Sequence, residues 1–425
     1  MKIASRRNQE LGVLTIVFCI AFLGFCLIRL YQDSKISPEV GYLTAAIIVP
    51  FLLVHILERF LVKMGDPLLI PLTAFLSSLS LIMIYRLKPD LFSQQALWIL
   101  IGVFFLTCSL FLAKNYTKLK DYKYVFALAG LALLLAPILA GTEKYGAKLW
   151  LNIAGVSFQP SEIAKIFMVI FLAAYLEEKR ELLAFANRKI LGIWLPPFKH
   201  FGPLLLMWLI SLAVLVFEKD LGSSLLFFGI FLSMLYVATG RKVYIAAGIL
   251  LFLSGATSCY FMFAHVRTRI DIWIDPWVDV AGKGYQIAQS LFAIASGDLA
   301  GVGLGRGFPT YIPAVHTDFI FSALAEEMGL MGGFAVITAY LLFASRGFRI
   351  ALTNEDEFGK LLAVGLASAF ALQVFIIIGG VTKLIPLTGI TLPFMSYGGS
   401  SILANFILLA LLLAVSQKAN TEAAS

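Results

Sequence analysis

Apolar residues run along this chain in long blocks, separated by short clusters of charged and turn-forming residues. The blocks lie near 11–30, 41–57, 68–85, 94–113, 124–140, 161–176, 203–217, 221–239, 243–263, 319–343, 361–380 and 395–415. A helix needs about 20 residues to cross the hydrocarbon core of a bilayer. No water is present there to satisfy an open backbone, so helices are the expected form of each block. The pattern predicts an all-α, polytopic integral membrane protein with about twelve transmembrane helices. The short blocks at 161–176 and 203–217 are expected to tilt little, to begin deeper in a polar loop, or to line a cavity. The first block is too long for a cleaved signal peptide and is followed by further blocks. The chain reads as one transmembrane domain over 1–418, with a large loop at 264–318 and a polar tail at 419–425.

Composition sharpens this reading. Of the 425 residues, 60% are hydrophobic and only 14% are charged, where a soluble domain carries roughly 25% charge. A water-soluble fold, a disordered chain, a collagen repeat and a coiled coil are excluded. Charge gives the blocks a direction. With the N-terminus inside, the inner segments hold 20 of the 33 Lys and Arg residues, the outer segments 12, and Lys165 falls within a block. This is the positive-inside bias, and an even count of spans puts both termini in the cytoplasm. The net charge of +8 then reflects topology and anionic lipid, with no nucleic-acid partner. Cys19, Cys26, Cys108 and Cys259 stand in apolar runs without CxxC spacing, so buried hydrophobes are expected, not a disulfide or a zinc site.

With charge so scarce, its few unusual positions are candidates for chemistry. The loop 264–318 holds Asp271, Asp275, Asp279 and Asp298 beside Arg267, Arg269, Lys283 and Arg306. A carboxylate among cationic groups suits proton transfer next to a phosphorylated lipid, although solvated loop carboxylates are the plainer reading. Trp273 and Trp277 are placed to anchor the loop at the membrane interface. Residues 286–296 have helical spacing and suit a segment lying on or dipping into the membrane. The run GVGLGRG at 301–307 lacks the context of a nucleotide loop; a tight turn with amides near an anion is expected instead. In QPSEIAK, Glu162 and Lys165 share one helix face, and an ionisable pair inside a span is a functional candidate, or else a structural tie. Asp220 precedes LGSSLLFF and suits a helix cap. His316 and Asp318 stand before a span that contains Glu326 and Glu327, which suit a proton, a cation or a basic partner. In LIPLTGITLPFMSYGGSS, proline and glycine interrupt the helix around Ser396, Gly398 and Gly399, as non-helical backbone lining a cavity does.

Five motifs then stand in a telling order: QPSEIAK, DLGSS, DPWVDVAGKGYQ, HTDFIFSALAEEMG and PLTGITLPFMSYGGSS. The chain resembles the SEDS proteins, which include RodA, FtsW and SpoVE, strongly over about 148–415. Members usually have three spans before the QPSE helix, whereas five are expected here, an extension most like that of actinobacterial RodA-like proteins. The resemblance implies a peptidoglycan glycosyltransferase in the bacterial plasma membrane, with its active site facing outside. It would polymerise lipid II for elongation or division, beside a class B penicillin-binding protein and other proteins of those complexes. The family's essential loop aspartate corresponds to Asp279, the expected catalytic base. Two positions depart from the family's usual proline, Val280 and Lys219. Arg267 and Arg269 look like its basic pair at the start of the loop. With Lys165, oriented by Glu162, or a divalent cation such as Mg2+ or Mn2+, they would help the pyrophosphate leave, and no nucleotide is implied. His316 and Asp318 would bound the acceptor side. The competing reading is a lipid II flippase or other membrane transporter without covalent chemistry, and a third is a scaffold for the penicillin-binding protein.

Overall fold

The computed structural model describes residues 2–33, 37–144, 147–153, 155–184, 188–190, 193–195 and 198–423. Every expected block falls on a helix: α1 (Lys2–Asp33), α2 (Glu39–Leu61), α3 (Leu69–Leu87), α4 (Phe92–Leu112), α5 (Lys123–Ala140), α6 (Ser161–Ala184), α7 (Phe198–Phe217), α8 (Leu221–Thr239), α9 (Lys242–Met262), then α12 (Ile320–Thr353), α13 (Glu357–Val381) and α14 (Gly399–Glu422). Among the described residues, nine helical stretches are long and apolar enough to cross a membrane, and one of these, Pro89–Ala140, contains both α4 and α5. The protein is therefore a multi-span α-helical membrane protein. The last helix starts at Gly399 and not at 395, because the MSYG segment before it is turned chain.

Between the spans stand short elements that the apolar pattern does not reveal. Strands β1 (Thr142–Lys144), β2 (Ala147–Ile153) and β3 (Val156–Phe158) form an antiparallel sheet, and β4 (Arg188–Ile190) pairs with β5 (Ile193–Leu195). The segment 264–318 carries α10 (Ala264–Ile274) and α11 (Tyr285–Gly297). The second of these covers the stretch with helical spacing.

The chain divides into two compact units. The first comprises Met1–Lys114, Asp271–Arg346 and Gln373–Ser425. Its core is built where small residues admit large ones, as membrane helices require. The Phe406 ring fills the space a side chain at Gly102 would need. Phe406 also meets Phe394 edge-on at 5.4 Å. The second unit comprises Asn115–Ile270 and Gly347–Leu372. There Trp208 stacks on Phe231 at 4.5 Å, and Val169 and Met234 close on Gly365. Helix α9 leaves Leu250, Leu251, Leu253 and Phe261 exposed, an apolar face suited to lipid. Of the cysteines only Cys26 is buried, and Cys19 is exposed, because one side of α1 faces outward.

Candidate functional site

In the second unit Glu162, Lys165 and Asp220 are buried and already partnered. Pro160 starts α6, its carbonyl accepting from Ile163 N at 3.1 Å and Ala164 N at 3.0 Å. One turn in, Lys165 Nζ donates to Glu162 Oε2 at 2.8 Å, with Lys165 only 2% exposed. Asp220 caps α8: Oδ1 accepts from Ser223 N at 2.9 Å and Oδ2 from Ser223 Oγ at 2.6 Å. Burial pushes the Asp220 carboxyl up, and the Ser223 donors and the Arg269 charge act against that push, while the Glu162 charge adds to it. The electrostatics thus link Glu162, Lys165, Asp220 and Arg269 in one group. Arg267 turns elsewhere, its guanidinium 5.6 Å from the Tyr260 ring and bonded to Phe261 O at 3.3 Å.

Two further residues join this group with only a faint sequence signal. Burial, with help from Asp220, pushes the Glu218 carboxyl up to about 8, and its Oε1 is buried without a hydrogen-bond partner. Burial, Lys219 and Arg269 all disfavour the charged form of His265. Lys219 itself has φ +65°, a value closed to proline, whose ring fixes φ near −65°. The turn into α8 therefore has a backbone that the family's usual proline could not adopt.

In the first unit the candidate carboxylate is exposed. Asp275 Oδ1 accepts from Trp277 N at 2.9 Å and opens a single tight helical turn, Pro276–Asp279. Asp279 O accepts from Gly282 N at 3.2 Å and Gly284 N at 2.9 Å, and Oδ2 accepts from Lys283 N at 3.0 Å. A side chain at 282 would begin 2.5 Å from Asp279 Oδ1, so only glycine lets the carboxylate sit there. Val280 has φ −61°, which proline would also adopt, so this departure leaves the turn unchanged. Helix α11 then ties the turn to the spans. Ser290 Oγ bonds Val381 O at 2.8 Å and Ser322 Oγ at 2.7 Å. Trp273 Nε1 donates to Lys383 O at 3.1 Å, and Trp277 lies 5.7 Å from the Phe292 ring.

The glycine-rich run wraps the two glutamates of α12. Gly305 N donates to Glu327 Oε2 at 2.9 Å and Phe308 N to Glu326 Oε1 at 2.7 Å. Arg86 bridges them, with Nε on Glu327 Oε1 at 3.0 Å and Nη2 on Gly307 O at 2.9 Å. The anion beside these amides is thus the chain's own Glu327. Helix α12 breaks at Gly329, φ +67°, and the freed amides of Leu330 and Met331 bond Asp298 O and Leu299 O. Sequence reading overlooked Arg86, a basic residue at a span end.

A third cluster joins His316 to the interrupted segment before α14. His316 O accepts from Tyr397 N at 2.9 Å, and the two rings lie 5.9 Å apart. Burial, then Lys88, disfavours the charged imidazole, and Nδ1 is buried without a partner. Ser396 Oγ donates to Thr317 O and accepts from Leu392 N at 2.9 Å. Tyr397 OH donates to Gln94 Oε1 at 2.7 Å. Asp318 is half-buried just before α12. Gly398 leads into α14, and Trp98 occupies the space beside Gly399. Among the described residues no group of three or more His, Cys, Asp and Glu side chains is arranged to hold a metal ion.

Known proteins agree with one another. The FtsW/RodA/SpoVE family model, described as "Cell cycle protein", matches residues 64–421. The peptidoglycan glycosyltransferase RodA of Mycobacterium tuberculosis is 44% identical over 98% of this chain and 91% of its own length. The stage V sporulation protein E of Bacillus subtilis is 35% identical over 83% of this chain and 97% of its own. A chain from a peptidoglycan synthase complex, solved to explain how polymerization and crosslinking are coordinated, superposes with a TM-score of 0.68. It is 28% identical and covers 83% of this chain and 98% of its own. The Thermus thermophilus rod shape determining protein RodA shares the fold, with a TM-score of 0.59 at 24% identity, over 83% of this chain and 97% of its own.

Proposed function

The chain belongs to the FtsW/RodA/SpoVE family, and from that membership we infer that it is a peptidoglycan glycosyltransferase polymerising lipid II for cell shape or division. It is a multi-pass protein of the bacterial plasma membrane. Twelve spans with both termini in the cytoplasm account best for its basic residues, and they put the Asp279 turn on the outer face. A class B penicillin-binding protein is the proposed partner, supported by the resemblance to a chain of a synthase complex.

Asp279 is the proposed catalytic base. The acceptor is the 4-hydroxyl of one lipid-linked disaccharide, and the donor is a second saccharide joined to polyprenyl pyrophosphate. The hydroxyl oxygen forms a bond to the donor's anomeric carbon as the bond to the pyrophosphate breaks on the opposite side, with inversion. The hydroxyl proton passes to the Asp279 carboxylate as its oxygen becomes acidic in the transition state. Arg269 and Lys165, the latter oriented by Glu162, are proposed to stabilise the departing charge, with Arg267 at the rim. A divalent cation, Mg2+ or Mn2+, would draw ligands from the pyrophosphate itself. His316 and Asp318 are proposed for the acceptor side, and Asp220, Glu326, Glu327, Ser396, Gly398 and Gly399 for the frame.

The observation that carries this reading is the Asp279 turn, whose carboxylate is exposed while its backbone is fixed by Gly282 and Gly284. Loss of a positioned base costs about 10²- to 10⁴-fold. Asp279→Asn should therefore lower kcat by that range in chain growth from purified lipid II, with substrate binding retained. Glycan of wild-type length from this variant would sink the assignment.

A further inference from the structure

The two helices that precede the family's matched segment have no role in the chemistry above. Helix α1 has 32 residues, so it is about 48 Å long, against about 30 Å for the hydrocarbon core. The apolar block 11–30 accounts for that core, so Tyr31 stands just past its end. There Tyr31, 53% exposed, meets the glycine-rich turn. The Arg306 guanidinium lies 5.7 Å from the Tyr31 ring centroid. Gly305, at φ +86°, comes so close that a side chain there would begin 3.1 Å from Tyr31 Cδ1.

The helix is held at three levels. At its first turns, the buried Arg7 bonds Glu10, Glu58 Oε2 at 2.5 Å and Val62 O at 2.7 Å. Midway, Gly24 lets α1 close on Ile82 of α3. Near the far end, Arg29 bonds Tyr85 OH at 3.2 Å and pairs with Glu39 at 2.7 Å. The turn it touches is in turn the anchor of α11: Gly303 N bonds Glu327 O at 3.0 Å, and Gly301 N bonds Gly297 O at 2.8 Å. The other end of α11 begins one residue after Gly284, whose amide holds Asp279 O.

We propose that α1 is a brace for the catalytic loop, with Tyr31 a positioning residue that fixes the 303–306 turn and, through α11, the Asp279 turn. The proposal rests on the polymerase reading for its effect on catalysis, but not for its effect on the loop. A cation–π contact at an exposed site converts to about a two- to five-fold effect. The full chain in nanodiscs is compared with Tyr31→Ala, Tyr31→Phe and Phe22→Ala, the last an exposed residue elsewhere on α1. Two readouts are taken: hydrogen exchange over 298–308, and kcat and KM for chain growth from lipid II. Tyr31→Ala should speed exchange at Gly303 and Gly305 and lower kcat by about two- to five-fold, with KM unchanged. Tyr31→Phe keeps the ring and should behave as wild type, as should Phe22→Ala. Unchanged exchange in Tyr31→Ala overturns the brace. Faster exchange with unchanged kcat overturns the positioning role. Wild-type protein that makes no glycan refutes the polymerase reading instead, and the exchange data still decide whether the brace exists.

Discussion

The two charged regions of this protein differ in how completely they are answered. In one, Glu162, Lys165 and Asp220 are buried, and each has a partner within its own helix or cap. In the other, Asp279 is exposed, and its Oδ2 accepts from the Lys283 amide at 3.0 Å. Buried charge must be paired because desolvation is costly, and a paired group has little freedom to carry protons or ions across. An exposed carboxylate on a fixed turn can meet a substrate hydroxyl. The glutamates of α12 belong with the buried kind, since Glu327 is held by Arg86 and by Gly305 N. Glu326 and Glu327, which would suit a transporter, are thus engaged in holding a turn, which favours the chemical reading over the transport one.

Breaking a buried pair on one side should have the largest effect on stability. Lys165→Met removes the Nζ–Oε2 bond that balances the buried Glu162, a loss of about 3–5 kcal/mol. Adding Glu162→Gln should restore most of the lost Tm, whereas a double variant as unstable as the single would show that the pair does more than balance charge. Next in size is Glu327→Gln. It replaces a charge-assisted bond to Arg86, worth about 1.5–3 kcal/mol, and should speed exchange in the 303–307 turn and lower polymer yield; an unchanged turn would count against the lock.

A further effect is a slope with pH. Glu218 holds its proton up to about 8 in the folded chain, against 4.5 for an ordinary carboxyl. Between those values the folded state binds more protons than the unfolded state, so stability falls as pH rises. The Tm of wild type should drop more from pH 5 to pH 8 than that of Glu218→Gln. Equal slopes would remove Glu218 as the cause.

Much of the frame is legible in the sequence, because apolar blocks of span length have few alternatives. What the blocks hide is chain that turns by tertiary contact. The MSYG segment reads as part of a helix, yet Ser396 bonds Thr317 and Leu392, and Tyr397 bonds His316. Strand pairing within 142–158 leaves no long alternating pattern. Helical spacing makes Glu162 and Lys165 readable as a pair, since both lie on one turn. Arg86 and Glu327 are 241 residues apart, and no local pattern announces their contact. Nor does spacing reveal that His265 stands near Lys219. The role proposed for Asp279 rests on the family's motif order, because its carboxylate makes no distinctive local pattern.

The most direct test follows purified full-length protein in lipid II proteoliposomes, measuring glycan chain growth and lipid translocation in the same vesicles. The account predicts glycan strands from wild type and growth slowed by about 10²- to 10⁴-fold in Asp279→Asn. Translocation by wild type without any chain growth would contradict it.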